Sequence, residues 1–402
     1  MAPIAPLDGV RVIEVSSWMA APGAGAALAD LGADVIKVEP PTGDIVRGLS
    51  RAAKDAPPLD HSFQADNRGK RSIAVDLTRP AGVELVRRLA DGAEVFLCNL
   101  LPRRQRRFGL DPTTLQGRHR RLVHATLTGY GLDGPDAGRP GFDVTAFFGR
   151  GAITDAMTEP GGVAPQPRPA QGDHTAALAM VAAILAGLRV AERTGDGPVV
   201  DVNLMATAAW TMTTDLAPTL VDGREVTRRD RSHLIAPLAN RFRCADDRWI
   251  ILNMPEQRWW SPFCTVIGRP DLIDDPRFST AKGRYDNMPE AIAALDAAFA
   301  RHTLSEWGRR FDQAGLIWGP ASSIRDLASD AQAEASGMFP TVEHPAGSFR
   351  TVGVPMRLSS VDIGPRGPAP GIGEHTREIL SELGLSTAEA DALIANGDVG
   401  PA

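Results

Sequence analysis

Asp173 is the residue in this chain best placed to act as a nucleophile. It follows a glycine- and proline-rich approach over residues 161–172 and stands before an apolar helix pattern over residues 174–192. A carboxylate at the start of a helix feels the partial positive charge of unpaired N–H groups, which favours its ionised form. An ionised, positioned carboxylate can attack an electrophilic carbonyl. The same position suits a helix N-cap, for which Asp is a preferred residue. Local sequence leaves both readings open. His174 is adjacent, but neighbouring residues at a helix start point apart, so it is not expected to act as an acid/base partner for Asp173.

The rest of the chain bounds the chemistry. Its 402 residues predict two domains, and 43% hydrophobic residues suffice for substantial cores. A net charge of −6 argues against general nucleic-acid binding. The three cysteines, Cys98, Cys244 and Cys264, form no CxxC pair, which fits a reducing cytoplasm. The eight histidines show no metal-ligand spacing, so no metal is expected. The N-terminus lacks the basic and apolar blocks of a signal peptide. The apolar segment 176–190 is short for a membrane span and is closed by Arg189 and Glu192, which predicts a buried core helix and no membrane association.

Strand patterns at residues 10–15, 34–38, 72–76, 95–97, 122–126 and 199–202 alternate with helix patterns at 22–31, 80–91, 112–117 and 174–192. Such alternation predicts a parallel α/β sheet. A helix is expected over 204–220, and a polar, basic linker at 223–233. A hairpin around Asp246 and Asp247 follows, with helices at 256–267, 289–301 and 304–314. The predicted organisation is a large α/β domain over 1–222, a smaller α+β domain over 223–324, and a segment 325–402 that returns to the first domain.

Gly23 and Gly25 follow the first strand and match the first two positions of a dinucleotide fingerprint, with Glu39 closing the second strand. An NAD(P)-dependent oxidoreductase is therefore a rival reading. Leu28 occupies the third glycine position, and the turn before the helix carries the bulky Trp18 and Met19. A small-residue helix packed under a sheet explains the glycines better, and no NAD is expected.

Several segments together resemble the class III CoA-transferase family (CaiB/BaiF type), which includes formyl-CoA and carnitine-CoA transferases and α-methylacyl-CoA racemases. They are Pro6-Leu7-Asp8-Gly9-Val10-Arg11-Val12-Ile13-Glu14-Val15, Leu31-Gly32-Ala33-Asp34-Val35-Ile36-Lys37-Val38-Glu39 and Asn67-Arg68-Gly69-Lys70-Arg71-Ser72-Ile73. Asn99-Leu100-Leu101-Pro102, Leu127-Thr128-Gly129-Tyr130-Gly131, Arg139-Pro140-Gly141-Phe142-Asp143, Gly195-Asp196-Gly197-Pro198 and Gly373-Glu374-His375-Thr376 continue the series in order. The resemblance implies a Rossmann-like large domain with a smaller α+β domain. It also implies an interlocked homodimer, in which linkers 223–231 and 364–373 would embrace the partner. Asp173 matches the family's nucleophile. The implied substrates are an acyl-CoA and a carboxylic acid, exchanged through an aspartyl–acyl anhydride and an aspartyl-CoA thioester. CoA contacts are implied at Met19, Ala20, Lys70, Arg71, Asn99, Leu100, Arg107 and Phe108. Arg139, Phe142 and Asp143 are implied to line the site, Asp143 to orient the substrate or tune Asp173; a plain helix N-cap is the other reading of Asp143. Arg103, Arg104 and Arg106 read as a solvated helix face.

The chain departs from two family patterns. Phe142 stands where the racemase branch commonly carries a histidine, which argues against racemisation. Segment 232–240 takes the place of a glycine-rich loop and contains no glycine. Leu234, Ile235 and Leu238, with Trp259 and Trp260, suggest a larger or more apolar acyl group than oxalate or formate. A non-catalytic acyl-CoA-binding protein with the same fold remains a third reading.

Overall fold

The computed structural model describes residues 4–49 and 59–400. The chain forms two compact units. The first comprises the chain to Ala156, Pro165–Arg224 and the chain from Gln332; the second comprises Met157–Ala164 and Glu225–Ala331. Segment Met157–Ala164 thus belongs with the second unit, although the sequence reading assigned it to the first.

The first unit is built on six parallel strands: β1 (Arg11–Val15), β2 (Asp34–Glu39), β3 (Arg71–Ala74), β4 (Val95–Cys98), β5 (Val123–Thr128) and β6 (Val199–Asn203). Their spatial order is β3-β2-β1-β4-β5-β6. Apart from the edge strand β6, these strands are buried nearly throughout, which is why they read as continuous apolar runs rather than alternating ones. The order reverses between β1 and β4, and ligands of open α/β sheets bind beyond the carboxyl ends of the strands at such a switch point.

The helices of this unit include α1 (Ala20–Asp30), α2 (His61–Asn67), α3 (Pro80–Asp91), α4 (Pro102–Phe108), α5 (Pro112–Arg118), the single turn α6 (Ile153–Ala156), α7 (Gln171–Thr194), α8 (Leu204–Thr211) and α9 (Thr213–Asp222). The helix expected over 204–220 is broken in two at Met212. By length and composition α7 could span a membrane, but Ala176, Ala177, Met180, Val181 and Ile184 are buried in the core, as expected of a core helix.

The glycines of α1 serve packing. A Cβ on Gly23 would touch Ala177 of α7 at 3.5 Å, and one on Gly25 would overlap Glu14 Oε2. Glu39 is also committed: its carboxylate takes two bonds from Arg47, at 2.7 Å each, and accepts from Ser72 Oγ and the Asp44 amide. The dinucleotide reading therefore loses both its supports. Leu28 does not obstruct the helix; it is fully buried in the core beneath it.

From Gln332 the chain rejoins the first unit. Thr341–Val342 and Phe349–Arg350 pair as a small ribbon, and helix Thr376–Glu382 packs beside β3. The second unit holds an antiparallel sheet of β7 (Arg241–Arg243), β8 (Trp249–Leu252) and β9 (Trp318–Pro320), in that order. The hairpin was legible; β9 was not, because a three-residue strand ending in Gly-Pro carries no strand signature. Phe242, Phe263, Phe299, Trp307 and Phe311 fill its core. Leu238 and Trp260 belong to that core too, whereas Ile235 is 76% exposed. Burial in this core accounts for Leu238 and Trp260 without a role towards an acyl group.

Candidate active site

The switch point between β1 and β4 opens into two adjoining cavities. The smaller, about 330 Å³, is walled by Ser17 and Trp18 after β1, Asn99 to Leu101 after β4, Thr128 and Gly129 at the end of β5, and Phe142; Asp173 of α7 faces into it. The larger, about 680 Å³, extends over the ends of β2 and β3 past Thr42, Arg47, Thr78 and Phe108. Ser17, Trp18, Asn99, Leu100 and Arg104 belong to both walls.

Asp173 is the third residue of α7 and not its N-cap. The chain enters the helix through Ala170 in a left-handed conformation, φ 66°, with no side-chain cap. The capping is done from elsewhere: Asp143 Oδ1 accepts the Gly172 amide at 3.0 Å. Of the two readings of Asp143, a cap of its own helix does not hold. Instead it is the first residue of a π-helical segment, Asp143–Arg150, and reaches across to α7. This frees the Asp173 carboxylate, which has no hydrogen-bond partner among the described residues.

The surroundings of Asp173 oppose its charge. Burial, foremost, and then the neighbouring Asp143 push its carboxyl up to about 7, against a smaller downward pull from His174. Asp143 is itself raised by burial, and its Oδ2 is buried with no hydrogen-bond partner among the described residues. His174 Nε2–H donates to Asp66 Oδ1 at 2.9 Å, and this bond raises its pKa.

Gly172 is the hinge of this arrangement. A Cβ there would overlap both Asp143 Oδ1 and the Phe147 ring. Gly172→Ala is therefore expected to separate Asp143 from the start of α7, costing about 1–3 kcal/mol in stability and at least about tenfold in turnover. Denaturant melts and steady-state rates check this; an alanine variant with wild-type kinetics would show that the contact does not position Asp173.

The other expected site residues divide into two groups. Ala20, Asn99, Leu100 and Phe142 line the smaller cavity, and Phe108 lines the larger. Met19 forms the N-cap of α1 and does not contribute to either wall. Arg107 lies with Phe108 in a separate recess of about 280 Å³ beside Thr78 and Arg87. Arg139 sits just outside the smaller cavity, over the Tyr130 ring at 5.6 Å and near Asp136.

Lys70 and Arg71 are brought to neither cavity. Lys70 is fully enclosed beneath α1, with Glu14, Asn67 and the carbonyls of Pro22 and Asp66 as partners. Arg71 begins β3 and pairs with Asp34, Glu378 and Glu382 at the opposite, amino-terminal edge of the sheet. Conversely, Arg104, read as a solvated cation, lines both cavities and has no acidic partner among the described residues. Its spacing to Phe108, i to i+4, puts both on one helix face, and that was the available signal. Trp18 was missed as a wall residue because its φ of 68° is not encoded by its type. No group of three or more His, Cys, Asp or Glu is placed to hold a metal among the described residues.

Comparison with known proteins agrees with this geometry. Residues 7–376 match CoA-transferase family III. The chain is 32% identical to the (R)-2-hydroxy-4-methylpentanoate CoA-transferase of Clostridioides difficile, over 94% of this chain and 95% of that protein. It is also 32% identical to the succinyl-CoA:glutarate CoA-transferase of Mus musculus, over 94% of this chain and 86% of that one. Among solved structures, a CAIB/BAIF family protein from Brucella suis superposes with a TM-score of 0.84 at 30% identity, covering 94% of this chain and 100% of that one. The chain belongs to CoA-transferase family III.

Proposed function

We propose that this protein is an acyl-CoA:carboxylate CoA-transferase in which Asp173 is alternately acylated and thioesterified. One observation supports this above the others: a carboxylate with no hydrogen-bond partner among the described residues, in the first turn of a 24-residue helix, faces a cavity at the switch point of the sheet. An Asp173 oxygen attacks the thioester carbonyl, the C–S bond breaks, and an aspartyl–acyl anhydride forms with release of CoA thiolate. The thiolate attacks the aspartyl carbonyl, giving aspartyl-CoA thioester and the free donor acid. An acceptor carboxylate then attacks that thioester, the C–S bond breaks, and an aspartyl–acyl anhydride forms with CoA thiolate released again. The thiolate finally attacks the acceptor's acyl carbon, yielding the new acyl-CoA and the Asp173 carboxylate. Ala20, the first residue of α1, lies in the same wall, so the unpaired amides of that helix turn are the donors for the oxyanions. Racemisation would need a second proton carrier; Phe142 is a hydrocarbon and His174 is engaged with Asp66.

Incubation with an acyl-CoA and hydroxylamine should convert Asp173 to its hydroxamate, detectable by peptide mass spectrometry. Transfer that persists in Asp173→Ala would end this reading. The nucleophile must be ionised, so kcat/KM for the thioester should climb about tenfold per pH unit up to about 7 and then level off. Asp143→Asn keeps an acceptor for the Gly172 amide but removes the like charge, so the inflection should move to lower pH. An inflection that stays in place would mean that Asp143 does not act on Asp173 through its charge.

We further propose a homodimer. Trp210, Leu220 and Val221 on α8 and α9 are 80%, 79% and 84% exposed in the single chain, and a second copy would cover them. Light scattering that returns one chain's mass would contradict it.

A further inference from the structure

Resting on the transferase reading, we infer that the smaller cavity holds the acyl body of the substrate and selects monocarboxylates with an apolar, ring-bearing body over dicarboxylates. Its wall is hydrocarbon at Trp18, Leu101, Leu127, Pro140, Phe142 and Leu204. The polar side chains are mostly committed. The Asn99 amide is spent on Ser17, accepting from its N–H at 3.3 Å and donating to its carbonyl at 2.7 Å. Thr128 Oγ1 accepts the Gly131 amide at 2.9 Å. What remains is the Ser17 hydroxyl, the O–H of Thr128, Asp173 and Arg104. A second carboxylate would meet the charge of Asp173, with Asp143 buried behind it. The one cation in the wall among the described residues, Arg104, is shared with the larger cavity, where the polyanionic chain of CoA would compete for it.

The aromatic pair gives the preference its shape. Trp18 holds a left-handed backbone, φ 68°, that a bulky residue adopts only when its surroundings impose it. Its amide donates to Asp44 Oδ1 at 3.3 Å, and Asp44 is anchored by Lys37 at 2.9 Å. So held, the indole meets the Phe142 ring edge to face, with centroids 5.2 Å apart at 79°. Phe142 is 50% exposed, so a substrate ring could cover it and make the aromatic contacts that such pairs favour.

The test is exchange of isotope-labelled acid into its own CoA ester, using 3-phenylpropanoyl-CoA, hexanoyl-CoA and succinyl-CoA with the full-length protein. The expected kcat/KM for 3-phenylpropanoyl-CoA exceeds that for succinyl-CoA by at least about 100-fold. Phe142→Ala should lower the ratio of phenylpropanoyl to hexanoyl exchange by about tenfold. That side chain is half exposed, and the backbone bond from its amide to Thr145 Oγ1 does not depend on it, so the variant should fold. Succinyl-CoA preferred by the wild type, with the preference abolished in Arg104→Gln, would overturn the inference and make Arg104 a dicarboxylate anchor. A phenylpropanoyl-to-hexanoyl ratio unmoved by Phe142→Ala would also overturn it. Exchange with none of the three esters, together with no hydroxamate at Asp173, would instead remove the transferase reading on which it rests.

Discussion

Asp173→Asn is expected to abolish CoA transfer and, at pH 8, to make the protein more stable. Both effects come from the same carboxylate. Without a nucleophilic oxygen neither anhydride nor aspartyl thioester can form, and losses on removing a nucleophile run to about 10³-fold or more. The stability effect follows from linkage. The folded-state pKa of Asp173 is raised from the usual 3.8 to about 7, chiefly by burial. Below about pH 4 the group is protonated in both the folded and unfolded chain, and it contributes no difference. Between about 4 and 7 the unfolded chain releases the proton while the folded one keeps it, so stability falls as pH rises. Above about 7 the full penalty is present, up to about 4 kcal/mol from the size of the shift at 1.36 kcal/mol per unit, and roughly 2–3 kcal/mol after allowance for partial solvent screening. An asparagine has no charge to desolvate. Its thermal midpoint should exceed the wild type's by several degrees at pH 8, with the gap closing towards pH 4. A variant less stable than wild type at pH 8 would show that burial does not oppose the charge of Asp173, and a fully active one would remove it from the reaction.

What was legible in the sequence and what was not separates along physical lines. The buried strands announced themselves as short β-branched runs, and α3 and Leu304–Ala314 were read at their ends because Pro80 opens one and Gly315 closes the other. The place of Asp173 at the start of the long helix was legible too, but the capping of that helix was not. Asp173 looked like a cap because Asp is the commonest cap. The cap that exists is Asp143, 30 residues earlier in sequence, and nothing in the spacing of the two aspartates encodes a bond from one helix start to another. The surroundings of the basic residues were not legible for a related reason. A lysine or arginine in a sequence looks equally ready for a phosphate or for solvent, and only the tertiary partners decide. Arg71 is neutralised by three carboxylates at the far edge of the sheet, while Arg104 is left without one beside the cavities among the described residues. Trp18 adds a last case, since its backbone conformation is imposed by Asp44 from a different loop.

The reassignment of Lys70 makes the second large prediction. Lys70→Met should destabilise the protein by about 3–5 kcal/mol while leaving KM for the acyl-CoA within about twofold. The ammonium is fully buried, 2.7 Å from Glu14 Oε2, and burial lowers its pKa to about 8 even against the attraction of Glu14. A depressed pKa means that carrying the charge inside is itself unfavourable. The loss in the methionine variant must therefore come mainly from what is left behind: Glu14, fully buried, with Lys37 at 3.1 Å and Ser16 as its remaining partners. This distinguishes a structural lysine from a CoA ligand. If the cost lies in the orphaned carboxylate, Glu14→Gln combined with Lys70→Met should recover more than half of the lost stability, because Lys37 keeps Asp44 at 2.9 Å. If Lys70 instead served a phosphate of CoA, the single variant would fold with near-normal stability and its KM would rise by tenfold or more. Chemical denaturation of the single and double variants, set beside their KM values, decides between the two.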